Sequence, residues 1–172
     1  MRRLPFLFLI FIFLFSLDTR AADLPFLGKK GDGLSLLQTR LLNSIQLDVT
    51  LEPTATAGEI NLMLLGRVAA GKHIYSILDQ GEYGPKATKV VLDHLSFSPL
   101  GSRESAPKVI FDGAFEASLK VHQRDFWISR KFKVSKEITG KNEVFGYLEF
   151  QVCDDLICSL PVKKPFKALL NQ

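Results

Sequence analysis

The chain has 172 residues, with 22 Lys and Arg against 18 Asp and Glu, a formal charge of +4. That length suffices for one domain with a real core. A surplus this mild gives no argument for nucleic acid or an anionic membrane as partner.

The chain opens with Met1-Arg2-Arg3 and then an almost purely apolar run over 4–17, LPFLFLIFIFLFSL. A basic start, a short apolar run and small residues at Thr19 and Ala21 predict a secretory signal peptide over 1–21, cut after Ala21 or Ala22. The run is short for a bilayer span, and an uncleaved anchor is the competing reading. No cysteine follows it, which argues against a lipid-anchored form. Without Arg2, Arg3, Arg20 and Asp18, Lys plus Arg falls to 19 and Asp plus Glu to 17, a charge of +2. Nothing after residue 22 is apolar for long enough to span a membrane, so a soluble mature chain exported to the periplasm is expected.

Residues 22–44 read as a mobile N-terminal arm, rich in Gly, Pro and charge at its start. Within it, LSLLQTRLLNS reads as one helical turn or as a lead into the first strand. From residue 45 the pattern has period two. IQLDVTL, EINLMLLGRVAA and HIYSIL read as three strands, the second mostly apolar and therefore central. DQGEYGPKAT is a loop, KVVLDHLSFS a fourth strand and PLGSRESAP a turn. KVIF, FEASLKV, FWISRKFKVS, EVFGYLEFQVC and CSLPVKKPFKAL complete the set. Short strands separated by turns every 8 to 12 residues suggest an all-β sandwich or barrel, and the reading is one β-sandwich domain over 45–172. Trp127 alternates with apolar neighbours and reads as core. His73 and Tyr75 share one face of a strand and read as a satisfied core or edge pair.

The only cysteines, Cys153 and Cys158, flank the four residues Asp154-Asp155-Leu156-Ile157. A strand enters Cys153 and another leaves Cys158, so the four residues form a hairpin loop with the cysteines at its ends. Cross-strand positions there bring Cβ atoms within reach of a disulfide. Export favours that bond. Closing about six residues stabilises by only about 2 kcal/mol, so the bridge is a modest staple, and a tight bridge at a hairpin tip is open to thiol attack. Asp154 and Asp155 would raise a thiol pKa, unless Lys163 and Lys164 fold back to offset them. This suits a pair that is engaged by a more reactive partner. Structural staple, redox pair and metal clip all stay open at this point. Metal has the least support, because two further ligands are needed and His73, His94 and His122 lie on different predicted strands. No phosphate loop, nucleophile elbow or zinc-protease motif is present, and no cofactor is implied.

FGYLEFQVCDDLICSLPVKKPF resembles the end of the N-terminal periplasmic domain of DsbD-type thiol–disulfide interchange proteins. GKHIYSILDQGEYGPKATKVVLD is similar to an earlier segment of that domain, and the likeness covers most of 45–168. Where the family has Pro-Pro soon after the second Cys, this chain has Ser159-Leu160-Pro161. The resemblance implies an immunoglobulin-like sandwich carrying a redox pair. It implies electrons relayed from a membrane reductase to thioredoxin-like or other periplasmic thiol proteins, including those of cytochrome c biogenesis. Cys158 would form the mixed disulfide and Cys153 would resolve it. FDGAFEASLKVH resembles the family's cap segment, which maps shielding to Asp112 and Phe115, with Phe111 competing; His122, which beside Arg124 and Asp125 otherwise reads as part of a solvated turn, would under that mapping lie where it tunes a thiolate. Full-length members continue into a membrane domain and a thioredoxin-like domain. The chain reads as the first domain standing alone, so any thiol:disulfide interchange activity would depend on an external reductase. The alternative is a secreted immunoglobulin-like binding module with a purely structural bridge, bound through an edge strand.

Overall fold

Strand alternation sets the architecture. In Glu59–Val68 (β2), Ile60, Leu62, Leu64 and Val68 point inward and are buried, while their neighbours face out. Each such aliphatic side chain contributes about 1.5–3 kcal/mol by leaving water. The computed structural model describes residues 32–93, 97–135 and 143–169, with side chains from residue 36 onward. The expected signal peptide, Ala21, Ala22 and His94 lie outside these residues.

β2 sits between Ile45–Pro53 (β1) and Asp125–Val134 (β8), and Phe97–Glu104 (β5) closes the other side of β8. A second sheet places Glu143–Phe150 (β9) between Val162–Leu169 (β11) and Lys89–Leu92 (β4). A third runs from Val152–Cys153 (β10) through His73–Tyr75 (β3) and Ala117–His122 (β7) to Lys108–Asp112 (β6). All pairings are antiparallel. Leu62, Leu64, Phe126 and Ile128 from the first sheet meet Val144, Leu148 and Phe150 from the second in the main core. Ile74 and Val152 join it from the third. The expected all-β sandwich is what the chain forms.

Several local readings change. Residues Asp32–Leu42 form an α-helix of 11 residues rather than one turn; its Leu41 and Leu42 pack against the core. KVVLDHLSFS is not one strand. β4 pairs with β9 and β5 with β8, so the chain crosses between sheets there. Much of the stretch read as a turn, PLGSRE, continues β5 with an irregularity between Pro99 and Gly101, where proline cannot supply a ladder donor. Trp127 is 38% exposed. Phe126 and Ile128 take the inward positions of β8, and period two turns Trp127 outward.

EVFGYLEFQVC also divides. β9 ends at Phe150 and β10 begins at Val152, in a different sheet. Gln151 marks the step. Its Oε1 accepts from the Lys86 amide at 2.6 Å and its Nε2 donates to the Ser159 carbonyl at 3.0 Å. The cysteine segment is thereby handed from the second sheet to the third.

Candidate functional site

The third sheet has two faces. Ile74 and Val152 look into the main core. Tyr75, Leu119, Val121 and Cys153 form a second, smaller cluster, flanked by Ile110, Phe115, Ala117 and Cys158. The site is built on this second face.

The cysteine hairpin has the expected form. Cys153 and Cys158 are disulfide-bonded, with Cα atoms 4.1 Å apart. The Asp154 amide donates to the Ile157 carbonyl at 3.1 Å, and the Ser159 amide to the Val152 carbonyl at 2.9 Å. The Val152 amide donates to Ser159 Oγ at 3.1 Å. Asp154 Oδ1 accepts from the amides of Leu156 and Ile157 at 3.0 and 2.9 Å, and these bonds hold its carboxyl below the usual range. Its other oxygen lies 3.9 Å from Lys72 Nζ. Asp154 therefore shapes the loop, and Asp155 is exposed. Lys163 lies over the Tyr147 ring and Lys164 donates to the Leu42 carbonyl, so these lysines are engaged elsewhere and Lys72 is the cation beside the loop. Cys153 is fully buried, whereas Cys158 is half-buried.

The Tyr75 hydroxyl lies 2.9 Å from Cys153 Sγ and 3.2 Å from Cys158 Sγ. It also lies 2.6 Å from Asp112 Oδ2. A phenol has one proton, and a carboxylate is a stronger acceptor than a disulfide sulfur, so the proton points to Asp112. His73 Nε2 reaches the same Oδ2 at 2.9 Å. Asp112 Oδ1 accepts from the amides of Ala114 and Phe115 at 2.9 and 3.3 Å. His73, Tyr75 and Asp112 are all buried. Burial pushes the Asp112 carboxyl upward, but the hydrogen bonds from Tyr75, His73 and Ala114, with the His73 charge, outweigh it and leave the value low. Burial, then the bond to Asp112 and its charge, drive the Tyr75 phenol far above its ordinary value.

The turn from β6 to β7 covers this group. The Phe115 ring stands edge-on to Tyr75 with centroids 5.8 Å apart, and packs on the cluster that holds Cys153. Phe111 is 70% exposed, so of the two rings only Phe115 packs on this cluster. Gly113 lies so close to the cysteine hairpin that a Cβ would sit 2.9 Å from the Asp155 carbonyl oxygen. Removing the ring in Phe115→Ala is expected to speed alkylation of the reduced cysteines about ten-fold, since an aromatic pair contributes about 0.5–1.5 kcal/mol. Timed trapping with iodoacetamide measures it. An unchanged rate removes Phe115 from the shielding role.

His122 does not join the cysteines. Its Nε2 lies 2.8 Å from Glu104 Oε2, and its ring stacks on Phe126 at 5.2 Å. Val121 occupies the cysteine-facing position of β7, and period two sends His122 to the other face. Glu104 also accepts from Ser76 Oγ and the Ile77 amide. Burial raises the Glu104 carboxyl, and these bonds together with His122 bring it below the usual value.

His73 and Tyr75 form the satisfied, buried pair read from the sequence, and Tyr75 in addition joins Asp112 to the sulfurs. The Gly-x-His-x-Tyr spacing was the available signal. His73 also comes close to a cysteine because β3 pairs with β10, opposing it to Cys153. His73, Asp112 and Cys153 place ligand-type atoms within 4.8 Å of one another. Both sulfurs are committed to their mutual bond, and the Tyr75 hydroxyl fills the space between them and Asp112. The site is arranged around a hydroxyl proton.

No family model and no curated protein matches the sequence. Among solved structures, the N-terminal periplasmic domain of ScsB from Proteus mirabilis superposes with a TM-score of 0.51 at 14% identity. The match covers 73% of this chain and 46% of that one, so the chain spans under half of that structure. The DsbD N-terminal domain of Neisseria meningitidis, in its reduced form, gives a TM-score of 0.50 at 14% identity, over 76% of this chain and 88% of that one. No helix among the described residues is long and apolar enough to cross a membrane. What an identity this low shares is architecture, and it agrees with the likeness read from the cysteine segment: the chain has the immunoglobulin-like fold of the DsbD N-terminal domain.

Proposed function

We propose that this domain is a periplasmic thiol–disulfide exchange module that passes electrons through Cys153 and Cys158 to partner thiol proteins, with a thioredoxin-like protein or a membrane reductase at the other end. The observation that carries the reading is the asymmetry of the bridge: Cys158 is accessible at a hairpin end, Cys153 is fully buried, and one hydroxyl touches both sulfurs. A partner thiolate attacks Cys158 Sγ, forming the intermolecular S–S bond. The intramolecular bond breaks, and its electron pair goes to Cys153 Sγ, which takes up a proton. A second partner thiolate then frees Cys158, leaving the domain reduced. Delivery of electrons runs these steps in reverse, with Cys153 as resolver. Exposed apolar side chains flank Cys158, with Leu156 at 82%, Ile157 at 71% and Leu160 at 84% exposure, and they form a docking rim for the partner.

Trapping tests this. Cys153→Ser is expected to leave Cys158 able to hold a mixed disulfide with a thioredoxin-like protein, and Cys158→Ser to trap little, because its remaining thiol is buried. Non-reducing gels and mass spectrometry read the result. Failure of both single variants to trap any thiol protein defeats the relay. A potential below about −300 mV together with resistance to thioredoxin would mark the bridge as an inert staple.

A further inference from the structure

We infer that His73 is the solvent-side end of a proton route that serves the buried sulfur of Cys153. The inference rests on the exchange reading above for its purpose, but its test uses a small thiol and no protein partner.

The need for a route follows from the site. When Cys158 is attacked, the departing sulfur is Cys153, which is fully buried. A thiolate there would be desolvated and would lie near the Asp112 carboxylate, with only the Tyr75 hydroxyl between. Both conditions make it a poor leaving group, because departure is faster for a more stable thiolate. Protonation as the bond breaks removes the difficulty, yet Tyr75 is itself fully buried and Asp112 nearly so. Water has no direct access to the sulfur through either.

The hydrogen bonds supply the path. Cys153 Sγ meets the Tyr75 hydroxyl at 2.9 Å, that hydroxyl meets Asp112 Oδ2 at 2.6 Å, and Oδ2 meets His73 Nε2 at 2.9 Å. His73 also lines a pocket of about 490 Å³ with Lys72, Gln123 and Asp155. His73 thus has one imidazole nitrogen on the buried carboxylate and borders the pocket with a side chain that is 3% exposed. Tyr75 gives its proton to the sulfur as the S–S electron pair arrives there. Asp112 Oδ2 passes to the phenolic oxygen a proton received from His73 Nε2, and the ring is reprotonated from water in the pocket. The net change is one solvent proton on Cys153, with every intermediate group restored. Oxidation runs the path outward. His73 touches neither reacting sulfur and acts through Asp112 and Tyr75. The charged groups facing it are Asp112 from β6, Asp154 and Asp155 from the cysteine hairpin, and Lys72 from the turn before β3. Arg124 and the Arg67–Asp125 ion pair face it across the pocket.

The test is the rate at which dithiothreitol reduces the oxidised chain, followed by quenching and alkylation and divided by the dithiothreitol thiolate concentration at each pH. His73→Asn keeps a donor for Asp112 but cannot pass a proton through. It is expected to slow reduction about ten-fold, to flatten the residual pH profile and to abolish the solvent deuterium effect, with its urea midpoint near that of the wild type. His73→Gly is expected to regain speed when imidazole is added, in a saturable way. A His73→Asn protein that reduces at the wild-type rate and pH profile overturns the route and shows that the histidine only supports Asp112. So does a His73→Gly protein that imidazole accelerates no more than the wild type. Neither result bears on partner trapping by Cys153→Ser, so the route and the relay fail separately.

Discussion

Asp112→Ala is expected to lower the stability of the oxidised domain at neutral pH by about 3–5 kcal/mol. Two buried groups, the Tyr75 hydroxyl and the His73 ring, lose their acceptor, and each orphaned buried group costs about 1–3 kcal/mol. The amides of Ala114 and Phe115 lose theirs as well, which loosens the covering turn. The pH dependence has a definite sign. Asp112 titrates lower in the folded chain than an ordinary carboxyl. Its stabilisation is therefore complete above the unfolded value of about 3.9 and is lost as pH falls through the folded value. Glu104, also depressed, keeps its own acid sensitivity in the variant. Urea unfolding of both proteins at about pH 7 and about pH 3 measures this. The gap between them should narrow on acidification, and a gap that is unchanged would show that Asp112 does not act as an ionised acceptor.

Gly146→Ala is the second large effect, at about 3 kcal/mol. A Cβ there would fall on the Val91 carbonyl oxygen and against the Phe166 ring, which lies opposite in β11. The carbonyl belongs to β4, so relief requires moving a paired strand. Gly66 makes the useful contrast. A Cβ there meets the Phe126 ring, its partner in β8, and no backbone atom among its nearest neighbours. The ring can turn away, so Gly66→Ala should cost less, about 1–2 kcal/mol. Thermal unfolding of the two variants ranks them. A larger loss at Gly66 would mean that Phe126 is more rigidly held than the β4–β9 pairing.

Much of this architecture is written locally. The alternation in 59–68 and 125–134, the four-residue loop between the cysteines and the inward positions of β9 follow from side-chain period and turn length. What was not legible depends on which strand lies beside which. Nothing within KVVLDHLSFS says that its first half joins β9 and its second half β8. His73 and Tyr75 look like any buried polar pair until β10 is set against β3 and Asp112 is carried over from β6. His122 was misplaced by a single step of parity, since Val121 takes the position that faces the sulfurs. The resemblance supplied Asp112 and Phe115, which spacing alone did not single out.

The bonds at the base of the cysteine hairpin reach beyond its shape. Val152, Ser159, Gln151 and Asp154 hold the two arms together without help from the sulfurs. Opening the S–S bond therefore releases two side chains and little backbone. The thiols stay at high effective concentration with respect to each other, so in the proposed exchange a partner joined to Cys158 would face prompt intramolecular displacement. Under that proposal such a complex would be short-lived by construction, the hairpin favouring turnover of successive partners over retention of any one of them.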